Sequence, residues 1–128
     1  MRDREMKTIT IFGAVLGLTS VIMGAASDHL FFGFITEENS ERLDVALRYH
    51  QLYAILIFCL GICGLHTQHL LVLKRAGYIF CAGTVLFCTS LYISLFPGLD
   101  KATYLTPLGG ITLMFGWILS FLTIKRSL

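Results

Sequence analysis

The sequence predicts an all-α membrane protein, a small bundle of four transmembrane helices with both termini in the cytoplasm. Of its 128 residues, 55% are hydrophobic and only 14% are charged, whereas about a quarter of the residues in a soluble domain are charged. The charges also gather in short segments that separate four long apolar stretches. We therefore expect one domain, residues 1–128, with helices at about 8–26, 41–65, 71–96 and 105–124.

Each apolar stretch is long enough to cross a bilayer as a helix. The hydrocarbon core is about 30 Å thick and a helix rises about 1.5 Å per residue, so roughly 20 residues are needed. The stretches are continuously apolar and rich in Leu, Ile and Phe, whereas strands of a membrane barrel alternate between apolar and polar residues. All four stretches are therefore predicted to be helices.

The first stretch has an alternative interpretation as a secretory signal. Gly24, Ala25 and Ala26 follow a basic start and an apolar run, which is the order of a signal with a small-residue cleavage site. However, this apolar run is longer than the usual signal core of about 7 to 15 residues. A membrane helix is the preferred prediction.

The positive charges predict the orientation. If both termini share one side, that side carries seven of the ten Lys and Arg residues, namely Arg2, Arg4, Lys7, Lys74, Arg75, Lys125 and Arg126. The opposite side holds Arg42, Arg48 and Lys101. Because cytoplasmic loops of membrane proteins are enriched in Lys and Arg, we expect cytoplasmic termini. No basic patch interleaved with aromatic residues is present, so nucleic-acid binding is not expected.

The polar break between the first two helices is the unusual part of the chain. Residues 28–34 are too apolar for a solvated loop and are expected to lie in the headgroup region. Thr36 or Ser40 is expected to cap the second helix, and Asp44 and Arg48, one turn apart, can pair. We predict a candidate interaction site on the outer face, and the alternative is a solvated helix end. The candidate residues are Asp28, His29, Asp44, Arg48 and His50.

Small residues recur at helical spacing on three of the predicted helices. Since lipid provides no hydrophobic drive for association, such residues let helix backbones approach closely. Whether these faces meet within one chain or between chains stays open. The glycines predicted to mediate packing are Gly13, Gly17, Gly24, Gly83, Gly109 and Gly116.

The fourth helix has a recognisable start. Thr106 precedes Pro107, which predicts a capping hydroxyl followed by a proline at the first helical position. The alternative is an irregular opening at Gly109-Gly110, a feature that lines binding sites in some transporters.

Cysteines and histidines of the second helix suggest a soft-metal or haem site as a further alternative. Cys59 and Cys63 share a helix face, and His66 and His69 lie near its inner end. Their spacing matches no known ligand motif, so no metal and no cofactor are predicted. No Ser-His-acid set or pair of carboxylates is visible either, and we predict no catalytic residue and no enzyme.

Short motifs spread over nearly the whole chain carry a resemblance to a known family. They are Gly24-Ala25, His29-Leu30, Tyr49, Gly83-Thr84-Val85-Leu86-Phe87, Ser90-Leu91-Tyr92, Thr106-Pro107-Leu108-Gly109-Gly110 and Gly116-Trp117. With these motifs the chain resembles the domain-of-unknown-function 423 family, which includes YgdD-like and YwdK-like bacterial proteins and human transmembrane protein 256. The resemblance implies a four-helix protein of the bacterial inner (plasma) membrane, and it implies no activity.

The chain departs from the family's pattern at several positions. Where similar proteins read Tyr-Gln followed by His-Ala, this chain has Tyr49-His50 and Tyr53-Ala54, and a Ser-Gly-Ser in the third helix becomes Cys88-Thr89-Ser90. A role for the family's second histidine is therefore not carried over.

Two function classes remain. The first, which we predict, is a non-enzymatic structural or accessory component of the membrane that packs with itself, as a homo-oligomer, or with subunits of a larger complex. The second is a small transporter or channel for a small solute, functioning as an oligomer. The second is weakened because no Asp, Glu, Lys or Arg lies in the middle of an apolar stretch.

Overall fold

The computed structural model describes residues 2–29, 35–66 and 70–127. Within those ranges the chain is helical and contains no strand, which confirms the all-α prediction. The elements are α1 (Arg2–His29), α2 (Glu37–His66), α3 (Leu70–Ser94), a 3₁₀ helix (Asp100–Leu105) and α4 (Thr106–Ser127). Four helices are long and apolar enough to cross a membrane.

The helices differ from their predicted bounds mainly at the ends. α1 begins at Arg2 rather than at residue 8 because the polar segment before the apolar stretch continues the helix, and Met6 within it is fully buried. α3 ends at Ser94, two residues early, where the next two backbone amides donate to carbonyls three residues back. Pro97 and Gly98 follow, and Gly98 has a φ of 82°, which suits glycine. The predicted headgroup segment after His29 lies outside the described residues from position 30 to position 34.

Thr36 caps α2. The Asn39 amide donates to Thr36 Oγ1 at 3.3 Å, and the Ser40 amide donates to the Thr36 carbonyl at 2.9 Å. Of the two residues offered by the sequence, Thr36 therefore fills the N-cap position. Arg42 lies shortly after this cap, in the second turn of α2. It pairs with Glu38 and, at 3.4 Å, with Asp100 of the 3₁₀ helix.

The capping prediction for Thr106 is wrong. Thr106 has helical dihedrals, φ −57° and ψ −45°, because the 3₁₀ helix runs directly into α4. Its hydroxyl lies 2.7 Å from Ser90 Oγ on α3 instead of bonding to the α4 backbone. Gly109 and Gly110 are regular helix, so the irregular opening considered from the sequence is absent.

The helices form two antiparallel hairpins joined side by side. α1 packs on α2, α3 packs on α4, and α2 packs on α3, while α1 also reaches the first turns of α3. Among the described residues, the α4 backbone comes close only to α3 and to the 3₁₀ helix. One apolar cluster occupies the joint between the hairpins, formed by Met6, Ile9, Tyr53, Ile57, Ala76, Phe80 and Leu113.

Glycines mark the points of closest approach in both hairpins. A Cβ at Gly13 would lie 2.5 Å from the Phe58 backbone nitrogen, and a Cβ at Gly109 would lie 2.5 Å from that of Phe87. Real Cβ atoms do not come that close, so only glycine permits these two crossings. Gly83 and Gly116 likewise face side chains of the opposite helix, Leu113 and Phe80.

Gly17 and Gly24 do not lie at a close approach of two helix backbones within the chain. A Cβ at Gly17 would meet no atom within 4 Å, and one at Gly24 would meet only the Gln51 side chain at 3.9 Å. Leu16, which the sequence places on another face than the glycine stripe, packs against the core cluster instead. Of the three α1 glycines, the structure therefore assigns the α1–α2 crossing to Gly13 alone.

An ion pair joins α1 to α3 at the end of the bundle where α1 begins. Lys74 Nζ on α3 lies 2.5 Å from Glu5 Oε2 on α1, and both side chains are about one-third exposed. Partial exposure keeps such a pair weak in energy. The pair therefore adds only a weak link between the beginnings of α1 and α3.

A neighbouring pair of glycines tests the α3–α4 crossing. Gly109→Ala should lower the melting temperature by several degrees because its methyl group would overlap the Phe87 backbone. Gly110→Ala should leave it equal or raise it, since its methyl would sit 3.8 Å from the Phe87 ring and alanine is about 1 kcal/mol better than glycine in a helix. Thermal unfolding in detergent, followed by circular dichroism, measures both. Equal melting temperatures would contradict the close crossing.

Candidate functional site

His50 occupies the junction of three helices. It lies on α2 with 6% of its surface exposed. Its Nε2 is 3.2 Å from Thr19 Oγ1 on α1, and its Nδ1 is 3.0 Å from the Tyr92 hydroxyl on α3. Both ring nitrogens are therefore engaged, each with a different helix.

The hydrogen bonds of Thr19 determine the direction of the bonds in this junction. Thr19 Oγ1 lies 2.9 Å from the Val15 carbonyl and 3.1 Å from the Leu16 carbonyl, and the single hydroxyl proton is donated to them. The oxygen is then an acceptor toward His50, whose Nε2 carries the proton. A neutral imidazole has one N–H, so Nδ1 accepts from the Tyr92 hydroxyl. We assign the neutral Nε2–H form to His50 on this basis.

Along α1 the junction lies inside the apolar span, whereas on α2 the exposed Arg48 is only two residues from His50. On α1, the next charged residue beyond Thr19 toward the C-terminal end of the helix is Asp28, nine residues away, which is about 13 Å along a helix. Toward the N-terminal end of α1, Lys7 is twelve residues away, about 18 Å. An ionisable side chain at this depth is expensive, and such residues in membrane proteins are often functional.

The structure divides the outer-face site that the sequence predicts. Asp28, His29, Asp44 and Arg48 are exposed, whereas His50 is buried and points into the bundle. No ion pair joins Asp44 to Arg48 in the described part of α2, where Arg42 forms the pairs instead. Burial therefore separates His50 from the other four residues, and His50 has partners that sequence proximity does not indicate.

A second polar contact joins α4 to α2. Trp117 Nε1 donates to the Tyr53 hydroxyl at 2.9 Å, across the face of α3 that carries Phe80. The Phe80 ring lies 5.4 Å from the Trp117 ring and 5.7 Å from the Tyr53 ring, centroid to centroid. No local sequence signal identifies Tyr53 as the partner of Trp117, because the two residues are 64 positions apart.

Apolar depressions lie on the surface of the bundle, and one of about 510 Å³ over α3 and α4 has Phe87, Gly110 and Met114 in its lining. Because the α2 and α4 backbones do not come close to each other, a groove of about 210 Å³ also remains between these helices, and its lining includes Leu56, Leu60, Ala76 and Trp117. A further depression of about 290 Å³, shallower than this groove, lies over the α1–α2 hairpin. We call it the α1–α2 depression, and it is lined by Gly13, Ala14, Gly17, Leu18, Ala54, Ile55 and Phe58.

The cysteines are dispersed over the bundle. Cys59 and Cys63 are exposed on the lipid side of α2, and Cys88 is buried, with its thiol 3.6 Å from the Ala46 carbonyl. Within the described ranges, no three His, Cys, Asp or Glu side chains lie close enough together to hold a metal ion. His69, the fourth member of the set considered from the sequence, lies outside those ranges.

Four spanning helices around a hydrogen-bonded interior define a multi-pass integral membrane protein. The chain belongs to the family described as "Protein of unknown function (DUF423)", whose profile matches residues 23–110. This finding confirms the resemblance drawn from the sequence motifs.

Relatives from several bacteria cover most of the chain. The UPF0382 membrane protein YwdK of Bacillus subtilis is 30% identical over 114 residues, covering 89% of this chain and 93% of YwdK. The UPF0382 inner membrane protein YgdD of Escherichia coli K12 is 28% identical over 110 residues, covering 85% and 82% respectively. No solved structure matches the chain.

Removing one phenol hydroxyl tests the α2–α4 contact. Tyr53→Phe leaves the Trp117 indole N–H without its acceptor and should destabilise the bundle by about 0.6 to 1.7 kcal/mol, the range for such bonds in lipid. Since Trp117 is the sole tryptophan, its fluorescence emission should also shift to shorter wavelength. Tyr49→Phe is the matched control. The centroid of the Tyr49 ring lies 4.6 Å from the centroid of the Phe87 ring, and the variant keeps this ring contact. Identical emission from both variants would contradict the bond.

Proposed function

We propose that this chain is a non-enzymatic integral membrane component that assembles with a second copy of itself through the outward face of α1 and α2. The observation that carries the proposal is the α1–α2 depression. Its floor is made by small residues, and a Cβ at Gly17 would meet nothing within 4 Å. A helix of another molecule can therefore approach this backbone closely.

The side chains next to the depression suit a helix partner. Ile11, Val15, Leu18 and Ile22 are all exposed, and their 4-3-4 spacing places them on one stripe of α1. Such spacing is the pattern by which side chains of one helix fit between those of a neighbour. A small-residue floor beside an apolar stripe gives the dispersion contacts on which helix association in lipid depends.

The interior supports the non-enzymatic part of the proposal. Thr19, His50 and Tyr92 use their polar atoms on one another, and Tyr53 accepts from Trp117. Groups that are occupied in this way hold helices together. They are not arranged as a nucleophile and base facing a substrate.

We also propose a location and an orientation. The name of YgdD places that relative in the inner membrane, and we extend the same location to this chain. The excess of Lys and Arg at both termini and at the α2–α3 connection supports cytoplasmic termini. In this orientation the 3₁₀ helix and the cap of α2 lie on the outer side.

A small transporter or channel, built by an oligomer, is the second candidate function. His50 favours it, because an ionisable side chain inside the apolar span is a feature of many proton-coupled transporters. Reconstituted liposomes that take up a solute only when the protein is present would support this candidate. Liposomes that hold an assembled dimer and show no flux would favour the structural component.

Filling the α1–α2 depression tests the assembly surface. Gly17→Leu should keep the parent melting temperature, because the position has open space within the chain, and should weaken self-association at least tenfold, since the depression is blocked. Förster transfer between labelled copies in liposomes measures the dissociation constant. Gly110→Leu adds the same side chain on α4 and should associate like the parent. A Cβ at Gly110 would lie 3.8 Å from the nearest atom, which belongs to the Phe87 ring.

A monomeric parent protein, or a Gly17→Leu variant that dimerises as tightly as the Gly110→Leu control, would remove this surface from consideration. Another subunit could instead copurify with the parent in fixed proportion and be lost from Gly17→Leu. The partner at this surface would then be that subunit of a larger complex, and not a second copy of the chain.

Labelling single cysteines tests the orientation. In a background without the four native cysteines, Glu38→Cys should react with an impermeant thiol reagent added outside intact cells, because α2 begins on the outer side. His66→Cys, at the other end of α2, should react only after the cells are opened. Both positions are exposed, so access to the side chain is not limited by the fold. The reverse pattern of labelling would reverse the orientation.

A further inference from the structure

His50 is the one histidine of the described part of the chain that is buried, and it joins three helices inside the apolar span. We propose that His50 is a proton-binding site within the membrane, and that binding of a proton there loosens the attachment of α1 and α3 to α2. The ligand is the proton itself, supplied by water at the outer end of the bundle.

The neutral junction is complete with the protons that its groups carry. The Tyr92 hydroxyl donates to Nδ1, Nε2–H donates to Thr19 Oγ1, and the Thr19 hydroxyl donates to its own helix. Every donor in this chain of bonds has an acceptor, and the Thr19 hydroxyl shares its proton between the Val15 and Leu16 carbonyls. No further donor is needed, and Nδ1 holds the one lone pair of the ring that can take a proton.

Proton uptake by Nδ1 disrupts this order. The new N–H bond uses the lone pair that accepted from Tyr92, so the Tyr92 hydroxyl has to turn away and present its oxygen. The imidazolium then donates on both sides. The Tyr92 hydroxyl proton loses its acceptor, and the ring gains a positive charge in apolar surroundings.

No negative charge faces His50 from the helices packed around it. α1 presents the Thr19 hydroxyl and the Leu16 carbonyl, and α3 presents the Tyr92 phenol and the nearby Cys88 thiol, which bonds to the Ala46 carbonyl. On α2 itself, the charged residues closest in sequence, Asp44 and Arg48, are exposed and point away from the bundle. A buried charge without a counter-ion is costly, so the helices separate until water reaches the ring.

Glutamine provides a substitution that separates proton binding from bond formation. In His50→Gln, the side-chain oxygen can accept from Tyr92 and the amide N–H can donate to Thr19, as the neutral imidazole does. The amide does not take up a proton in the range where histidine does. A role limited to holding the helices together is therefore kept by this variant, and proton binding is lost.

The test compares the parent and His50→Gln in lipid nanodiscs between pH 8 and pH 5. At pH 8 the two melting temperatures should agree within a few degrees. The unfolded parent binds the extra proton, so its stability should fall with pH, by about 5 °C per unit once the pH drops below roughly 6.5. His50→Gln should lack this fall, and His29→Gln, altered at an exposed histidine, should keep it.

Parallel pH curves for the parent and His50→Gln would overturn the proposal. A ¹⁵N spectrum of the parent is a second measurement that needs no variant. At pH 7.5 it should show one protonated and one accepting ring nitrogen on His50, and at pH 5 two protonated ones together with faster amide exchange around Thr19. Two protonated nitrogens at pH 7.5, or protonation without faster exchange, would overturn it as well.

Discussion

Close approach of helix backbones in lipid is the constraint on which the rest of this structure depends. Lipid tails are as apolar as the side chains, so burial alone does not draw helices together, and dispersion contacts and polar bonds have to do so. Gly13 lets the α2 backbone come near α1 at Phe58, and Gly109 lets the α3 backbone come near α4 at Phe87. Gly61 adds a second close approach in the first hairpin, where its Cβ would lie 2.7 Å from the Thr10 backbone nitrogen.

The joint between the hairpins is held differently, by aromatic packing and a few polar bonds. Phe80 lies between Tyr53 and Trp117, and the indole N–H of Trp117 spans from α4 to α2 where their backbones do not meet. His50 on α2 likewise bonds to Thr19 on α1 and to Tyr92 on α3. Such bonds in an apolar interior specify one register between helices, because an alternative register would leave polar groups without partners.

The sequence predicts residues on a helix face better than it predicts their neighbours. Gly13, Gly17 and Gly24 share a helical spacing, yet only Gly13 meets a backbone within the chain, because the crossing of α1 and α2 brings them closest at one level. His50 was grouped with Asp44 and Arg48 by proximity, but the helix turns about 100° per residue. Two residues beyond Arg48, His50 faces the interior while Arg48 faces outward. The Thr106 cap failed for a related reason, since a preceding 3₁₀ helix left no free helix end.

The sequence by itself determined the four membrane spans, the membrane class and the family, because hydropathy, helix length and short motifs are properties of consecutive residues. The sequence also confined the α2 N-cap to Thr36 or Ser40, since capping bonds reach only three or four residues, and the structure selects Thr36. The tertiary structure alone decided that His50 meets Thr19, 31 residues away, and Tyr92, 42 residues away. These pairings depend on the rotation and crossing of whole helices, which arise from the summed packing of many side chains and are not encoded in any one segment.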